Sequence, residues 1–366
     1  MIIRQATSDD NQALIDICRK APMEGIVTAY VDQSPNFFEM PRIQGDDYNV
    51  WVAEKDENKI EGCVIESYKT IRYNNGVHKA FYIGDLKVAP ESRGTLGITL
   101  SSHIINQAKQ KGFDIGECFV IDGNNKMLKV LDWLSKKIFK KVHSGHATIY
   151  QILPYKKYKI SKNYLIRNAD AKDINQIIDL LENTYKDYSS SPIFNKETFE
   201  AIINKSTTFD ISNFKVAEKE GKIVACISLW DQSDIRRTVV EKFSGSGKIA
   251  VNVLKFARLF LKTPKIPNEG DTLKYIFLRF PAALPQHIDA LQDLIRHESN
   301  VLRKMKKYHF IWAGFHEADS LKDSIDGMWK LTMKINIFHL KFNDNIELLN
   351  EDLSSKQPVY VDFSLI

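Results

Sequence analysis

Asp85-Leu86-Lys87-Val88-Ala89-Pro90-Glu91-Ser92-Arg93-Gly94, running on into Thr95-Leu96-Gly97-Ile98-Thr99, is the stretch from which the fold can be read. Residues 80–88 predict a strand, Pro90 and Gly94 end it, and the apolar spacing over 96–110 predicts a long helix. A strand that parts from its neighbour leaves N–H and C=O groups unpaired, and an extended ligand arm can pair with them as a peptide strand does. Leu86, Lys87 and Val88 are the expected contacts. Beyond them the loop and first helical turn, with Leu96 and Ile98 in it, offer N–H groups and a partial positive charge, which suit a diphosphate. Arg93 would add a full charge, Gly94 and Gly97 room for the backbone to come close, and Thr95 and Thr99 their hydroxyls.

Upstream, the pattern predicts a short strand at Ile3, a helix burying Leu14, Ile17 and Cys18, and a hairpin of residues 50–54 with 60–68. Downstream come a strand over 117–121, a helix, and a closing strand near 147–152. The same order then recurs. Ile3-Arg4-Gln5-Ala6 returns 163 positions on as Ile166-Arg167-Asn168-Ala169, and Val52-Ala53-Glu54-Lys55 returns as Val216-Ala217-Glu218-Lys219. The expectation is a duplication, with domains over 1–155 and 164–366 and an insertion in the second at about 231–271. That insertion contains an amphipathic helix over 249–261, and residues 359–366 read as a closing strand able to pair across domains or chains. Hairpins feeding strand–helix units imply an α+β fold, an α/β mixed sheet with helices on both faces.

Val88-Ala89-Pro90 followed by Arg93-Gly94 at a strand–helix junction resembles the central signature of the GNAT superfamily, the general N-acetyltransferases. The order of elements is similar over roughly residues 1–152 and more loosely over 164–366. The resemblance implies two tandem GNAT-like acyl-CoA N-acyltransferase domains, acetyl-CoA as co-substrate without a metal, and an amine as acceptor. Members of the superfamily place glycines where this chain has Leu96 and Ile98, so either Gly97 takes over in a loop one residue longer or diphosphate binding is weakened. In the second copy Pro281-Ala282-Ala283-Leu284-Pro285-Gln286-His287 stands at the junction without a glycine, and that copy is expected to have lost the cofactor or to bind something else.

Acetyl transfer requires a deprotonated amine, a polarised thioester carbonyl and a protonated leaving thiolate. The backbone N–H near Val88 is the expected polariser and Asp85 the best-placed base. Glu24 is a second candidate, because the loop after the first helix often shapes the acceptor site in the superfamily; a helix-ending turn explains it equally well. Asn124 either contacts pantetheine or caps the helix after it. Leu131, Asp132 and Trp133 stand where members carry a tyrosine acid, which leaves water to protonate the thiolate. Cys118, between Glu117 and Phe119, reads as a buried strand residue rather than a nucleophile. Phe37, Phe38 and Met40 fit an apolar acceptor pocket or the core.

A formal charge of +5 from 51 basic and 46 acidic residues, mixed along the chain, offers no concentrated field for nucleic acid. Cys18, Cys63, Cys118 and Cys226 lack the spacing of a metal site, the first residues lack the apolar core of a signal peptide, and no run spans a membrane. A cytoplasmic acetyl-CoA-dependent N-acetyltransferase, active in its first domain and without nucleic-acid or membrane partners, is the expected protein. The alternative is a non-catalytic module that binds or senses CoA or another metabolite.

Overall fold

The computed structural model describes residues 1–55, 59–74, 76–92, 94–258, 263–342 and 356–366. The first half contains strands β1 (Ile2–Gln5), β2 (Val27–Asp32), β3 (Asp47–Lys55), β4 (Lys59–Tyr73), β5 (Gly76–Val88), β6 (Ile115–Ile121) and β7 (Lys140–Ile152). Its helices are α1 (Asn11–Lys20), α2 (Glu39–Gln44), α3 (Leu96–Gln110) and α4 (Asn125–Ser135). The second half adds β8 (Leu165–Asn168), β9 (Phe214–Lys219), β10 (Lys222–Trp230), β11 (Arg237–Phe243), β12 (Thr272–Leu273), β13 (Tyr275–Ala283), β14 (Phe310–His316) and β15 (Lys330–Lys341). Its helices are α5 (Ile174–Tyr185), α6 (Lys196–Asn204), α7 (Gly245–Ala257) and α8 (Ile288–Met305).

Twelve strands form one mixed sheet in the order β1-β3-β4-β5-β6-β15-β7-β14-β13-β10-β9-β8. The order is palindromic once each strand of the first half is matched with its counterpart in the second. The closing strands are exchanged: β15 inserts between β6 and β7, and β7 pairs with β14. Leu96, Leu100, Ile104, Ile105 and Ala108 recur at three and four positions along α3 and bury against Phe81 and Ile83 of β5. On the opposite face α1 packs Leu14, Ile15, Ile17 and Cys18 over Val50, Val52, Cys63 and Ile65. In the second half α5 and α8 cover the sheet with Ile177, Leu181, Leu291 and Leu294.

Local chemistry is duplicated along with the topology. Arg4 forks onto Asp10 and also bonds Glu54, while Arg167 does the same with Asp173 and Glu218. In each case the carboxylate also accepts the backbone N–H of Thr7 or Asp170, so one ion pair locks the first strand to the turn that starts the first helix. The guanidinium bonds hold the Asp10 and Asp173 carboxyls below their ordinary pKa.

Two expectations change. Residues 359–366 do not form a closing strand; they make one parallel bridge, Ser189 to Val359, and a 3-10 turn at Phe363–Leu365. The closing strand is β15, and because it is flanked by β6 and β7 it needs no further chain to pair with. The insertion carries β11 as well as α7, and β11 joins β2 and β12 in a separate three-stranded sheet that ties the two halves together.

Candidate functional site

Strand β5 runs parallel to β6 only over Ala80, Phe81 and Tyr82, which face Ile115, Gly116 and Glu117. Beyond Tyr82 the two strands part, and among the described residues no backbone pairs with the β6-side edge of residues 83–88. The parting of the strands expected from the sequence is present. On its other edge β5 keeps its pairing with β4, interrupted by a bulge between Cys63 and Ile65. Asp85 sits in that bulge with φ 45°, a left-handed conformation rare for a residue with a Cβ, and its carbonyl takes the Cys63 thiol at 3.8 Å.

The loop and helix that follow suit a diphosphate. Gly94 has φ +133°, which only glycine adopts readily, and a Cβ there would meet nothing within 4 Å. A Cβ on Gly97 would lie 3.8 Å from the Val88 Cγ2 and 3.9 Å from the Leu86 Cδ2, so the first turn of α3 faces β5 across the side chains of these two residues and adds none of its own at Gly97. Leu96 is buried in the core beneath α3, and Ile98 packs at its margin. The two bulky residues at glycine positions thus turn towards the core rather than the loop. The Thr99 hydroxyl bonds the Thr95 carbonyl at 3.1 Å, while Thr95 is exposed. The Arg93 prediction lies outside the described residues. Asn124 caps α4, accepting from the Met127 N–H at 3.2 Å.

On the α1 face of β5 is a group the sequence did not single out. Gln33, at the end of β2, is 1% exposed; its Nε2 donates to Asp85 at 3.0 Å, and its Oε1 has no partner among the described residues. The Asp85 carboxylate fixes the orientation of this amide, because the carboxylate accepts and only the NH2 can donate. A buried acceptor is thereby left aimed into the site. Lys87 places its ammonium 3.7 Å from Asp85; burial works against that charge, and Asp85 together with Cys18 and Cys63 more than offsets it, so the Lys87 pKa lies above the ordinary lysine value. Tyr82 is buried on the same face, and its hydroxyl would stand 3.2 Å from a Cβ on Gly84. Burial first, then Asp85, pushes its phenol well above the usual tyrosine value.

Tyr82 also forms part of the wall of a cavity of about 430 Å3 between the halves, with Ile71 and Phe119 from one and Ile202, Phe280 and Tyr360 from the other. None of residues 86–99 lines it. The unpaired edge of β5 thus separates a glycine-edged helix terminus from an apolar cavity on the opposite face. At the cavity floor Lys69 ion-pairs with buried Glu117, which lies 3.7 Å from His339; the His339 ring bonds Ser144 and Ser190 at 2.6 and 2.8 Å.

Other candidates are not brought together with this group. Glu24 is exposed in the turn closed by the bridge between Met23 and Ala29, at the far end of β2 from Gln33. Phe37 and Met40 are fully buried core residues. Burial pushes the Cys118 thiol up to about 12, which leaves no thiolate for nucleophilic attack.

The equivalent cleft in the second half is filled. There β13 parts from β14 after Phe277, and Phe280 occupies the bulge with φ 51°. Asp362 enters the gap and pairs with Arg279 at 2.6 Å, both side chains under 8% exposed. Phe363 and Val361 pack over Gly314. The pocket left there is about 10 Å3, too small for a ligand arm.

No protein-family model matches the chain, and no curated protein does. Solved structures do. Yeast (Saccharomyces cerevisiae) N-myristoyltransferase with bound myristoyl-CoA superposes over 98% of this chain and 89% of its own, with TM-score 0.63 and 12% identity. The GCN5-related glucosamine N-acetyltransferase region of a fungal multi-domain GH3 beta-N-acetylglucosaminidase covers 93% of this chain and 38% of that one, with TM-score 0.59 and 12% identity. A probable N-acyltransferase from Enterococcus faecalis covers 93% and 72%, with TM-score 0.53 and 9% identity. The chain therefore has the GNAT-like fold, in a mixed α/β architecture.

Proposed function

We propose that the protein is an acyl-CoA-dependent N-acyltransferase with one active site, in a first domain spanning residues 1–155, and that a second domain spanning 164–366 closes the acceptor side. The observation that carries this reading is the unpaired edge of residues 83–88, set between the first turn of α3 and the group of Gln33, Asp85 and Tyr82. The solved relatives that bind myristoyl-CoA or act as N-acyltransferases support a CoA thioester as donor; acetyl is our choice of acyl group.

The thioester supplies the acyl group and leaves as a thiol. Leu86 and Val88 offer backbone groups to its extended arm, and the amides of residues 96–98 face the diphosphate. The N–H groups at the bulge polarise the carbonyl. Gln33 Oε1 accepts a hydrogen from the incoming amine and Asp85 removes the proton that its attack releases. Tyr82, held protonated by burial, offers a hydrogen bond to the departing sulfur as the carbon–sulfur bond breaks, and solvent supplies the proton that makes it a thiol.

Equilibrium titration with acetyl-CoA and longer acyl-CoAs, followed by thiol release on an amine panel, tests the proposal. Binding with turnover supports it; binding without turnover favours a CoA-sensing module, and no binding at millimolar ligand removes both.

A further inference from the structure

Helix α7 lies outside the duplicated pattern, and nothing in the transferase reading uses it. Ile249, Val253 and Phe256, at i, i+4 and i+7, fall on one face and are 68, 61 and 67% exposed. The turn before β2 carries Met23, Ile26 and Val27, exposed by 42, 65 and 40%. Gly247 joins the two: a Cβ there would collide with the Ile26 carbonyl at 2.4 Å, so only glycine lets α7 sit this close to that turn. The Ser244 N–H bonds the same carbonyl at 3.0 Å. That contact is made at Gly247, on the side of α7 away from Ile249, Val253 and Phe256, so the helix stripe stands by itself as an exposed apolar face.

Its charge is one-sided. From Lys242 to Asn268 the sequence holds six basic residues, Lys242, Lys248, Lys255, Arg258, Lys262 and Lys265, and no acid, whereas the whole chain has a formal excess of only +5. Lys248, Lys255 and Arg258 are exposed, and Lys248 and Lys255 run along one edge of the apolar stripe. An apolar stripe edged by lysine is the arrangement that lies in the plane of a lipid–water interface, its apolar side among acyl chains and its cations on anionic headgroups.

We propose that the exposed face of α7 is a peripheral docking face for an anionic lipid surface. This departs from the expectation of no membrane partner, which rested on the lack of a spanning run; among the described residues no helix is long and apolar enough to cross a membrane, and this face would lie on one instead. The inference stands apart from the acyl-transfer reading and survives its failure.

Co-sedimentation with vesicles of phosphatidylcholine alone, or with about 30% phosphatidylserine, tests it. The full chain should bind the anionic vesicles, and binding should fall with added salt. Val253→Asp with Ile249→Asp, or Lys248→Glu with Lys255→Glu, should reduce it by about tenfold or more. Circular dichroism should stay unchanged, because these side chains are exposed. Equal binding to neutral vesicles, no binding to either, or a concentration-dependent dimer abolished by Val253→Asp would overturn the proposal, the last in favour of a contact between copies.

Discussion

Asp85 and Phe280 hold the same place in the two halves: each is a left-handed residue in a bulge, φ 45° and 51°, and each carbonyl faces a buried cysteine thiol, Cys63 or Cys226, at 3.8 Å. The backbone device was kept in both copies while the side chain diverged. In the first half the bulge presents a carboxylate beside an open edge; in the second it presents a phenyl ring to the core, and the edge is plugged.

That separation of backbone from side chain can be measured at Asp85. Asp85→Asn should keep the fold, since asparagine tolerates a left-handed conformation, and should lower kcat/KM. Asp85→Val should instead destabilise by about 1–3 kcal/mol, because a β-branched residue cannot relax there. Urea unfolding and steady-state kinetics on both variants distinguish the roles; equal activity for Asp85→Asn and the parent protein would remove the carboxylate from the chemistry.

Gln33→Leu deletes the unpartnered acceptor and should reduce kcat/KM for the amine by about 10- to 100-fold without changing acyl-CoA affinity. Tyr82→Phe should lower kcat by about 10-fold as a lost hydrogen bond to the leaving sulfur. If Tyr82→Phe turns over normally, the sulfur leaves without that bond and the tyrosine only shapes the cavity.

Glu117 sets a pH dependence of stability. Burial alone would raise its pKa, but the Lys69 ammonium and then His339 reverse this and bring it from 4.5 to about 2. The unfolded chain thus binds this proton more readily, so the stabilisation is complete above about pH 4.5 and is lost as pH falls towards 2. The urea midpoint should drop across that window, and Glu117→Gln should flatten the drop. An unaltered slope in the variant would assign the acid sensitivity elsewhere.

Asp362→Ala should cost about 3–5 kcal/mol, because it strands the buried Arg279 guanidinium against the rings of Phe209, Trp230 and Phe280. The plugged cleft also predicts one acyl-CoA bound per chain; calorimetry giving two would mean that residues 359–366 leave the gap when ligand arrives.

Much of this was legible beforehand. The helix over 96–110 and the repeat at Arg4 and Arg167 were readable because periodicity and a buried ion pair leave local traces. The exchange of β7 and β15 was not, since strand partners are chosen by long-range packing, and the apolar pattern at Val359–Ile366 reads alike as a strand or as a plug. Leu96 stands at a glycine position in the sequence, and only the packing shows that its side chain belongs to the core. Gln33 has no sequence signal at all: its role comes from β2 pairing with β11, where Arg237 bonds Ser34 and lies 3.5 Å from Asp32.

Amide hydrogen exchange with and without acetyl-CoA tests the central claim most directly. The account predicts new protection at Leu86, Val88 and the first turn of α3, with none at residues 278–283 of the plugged cleft. Protection confined to the second half, or unchanged exchange along β5 at saturating ligand, would contradict it.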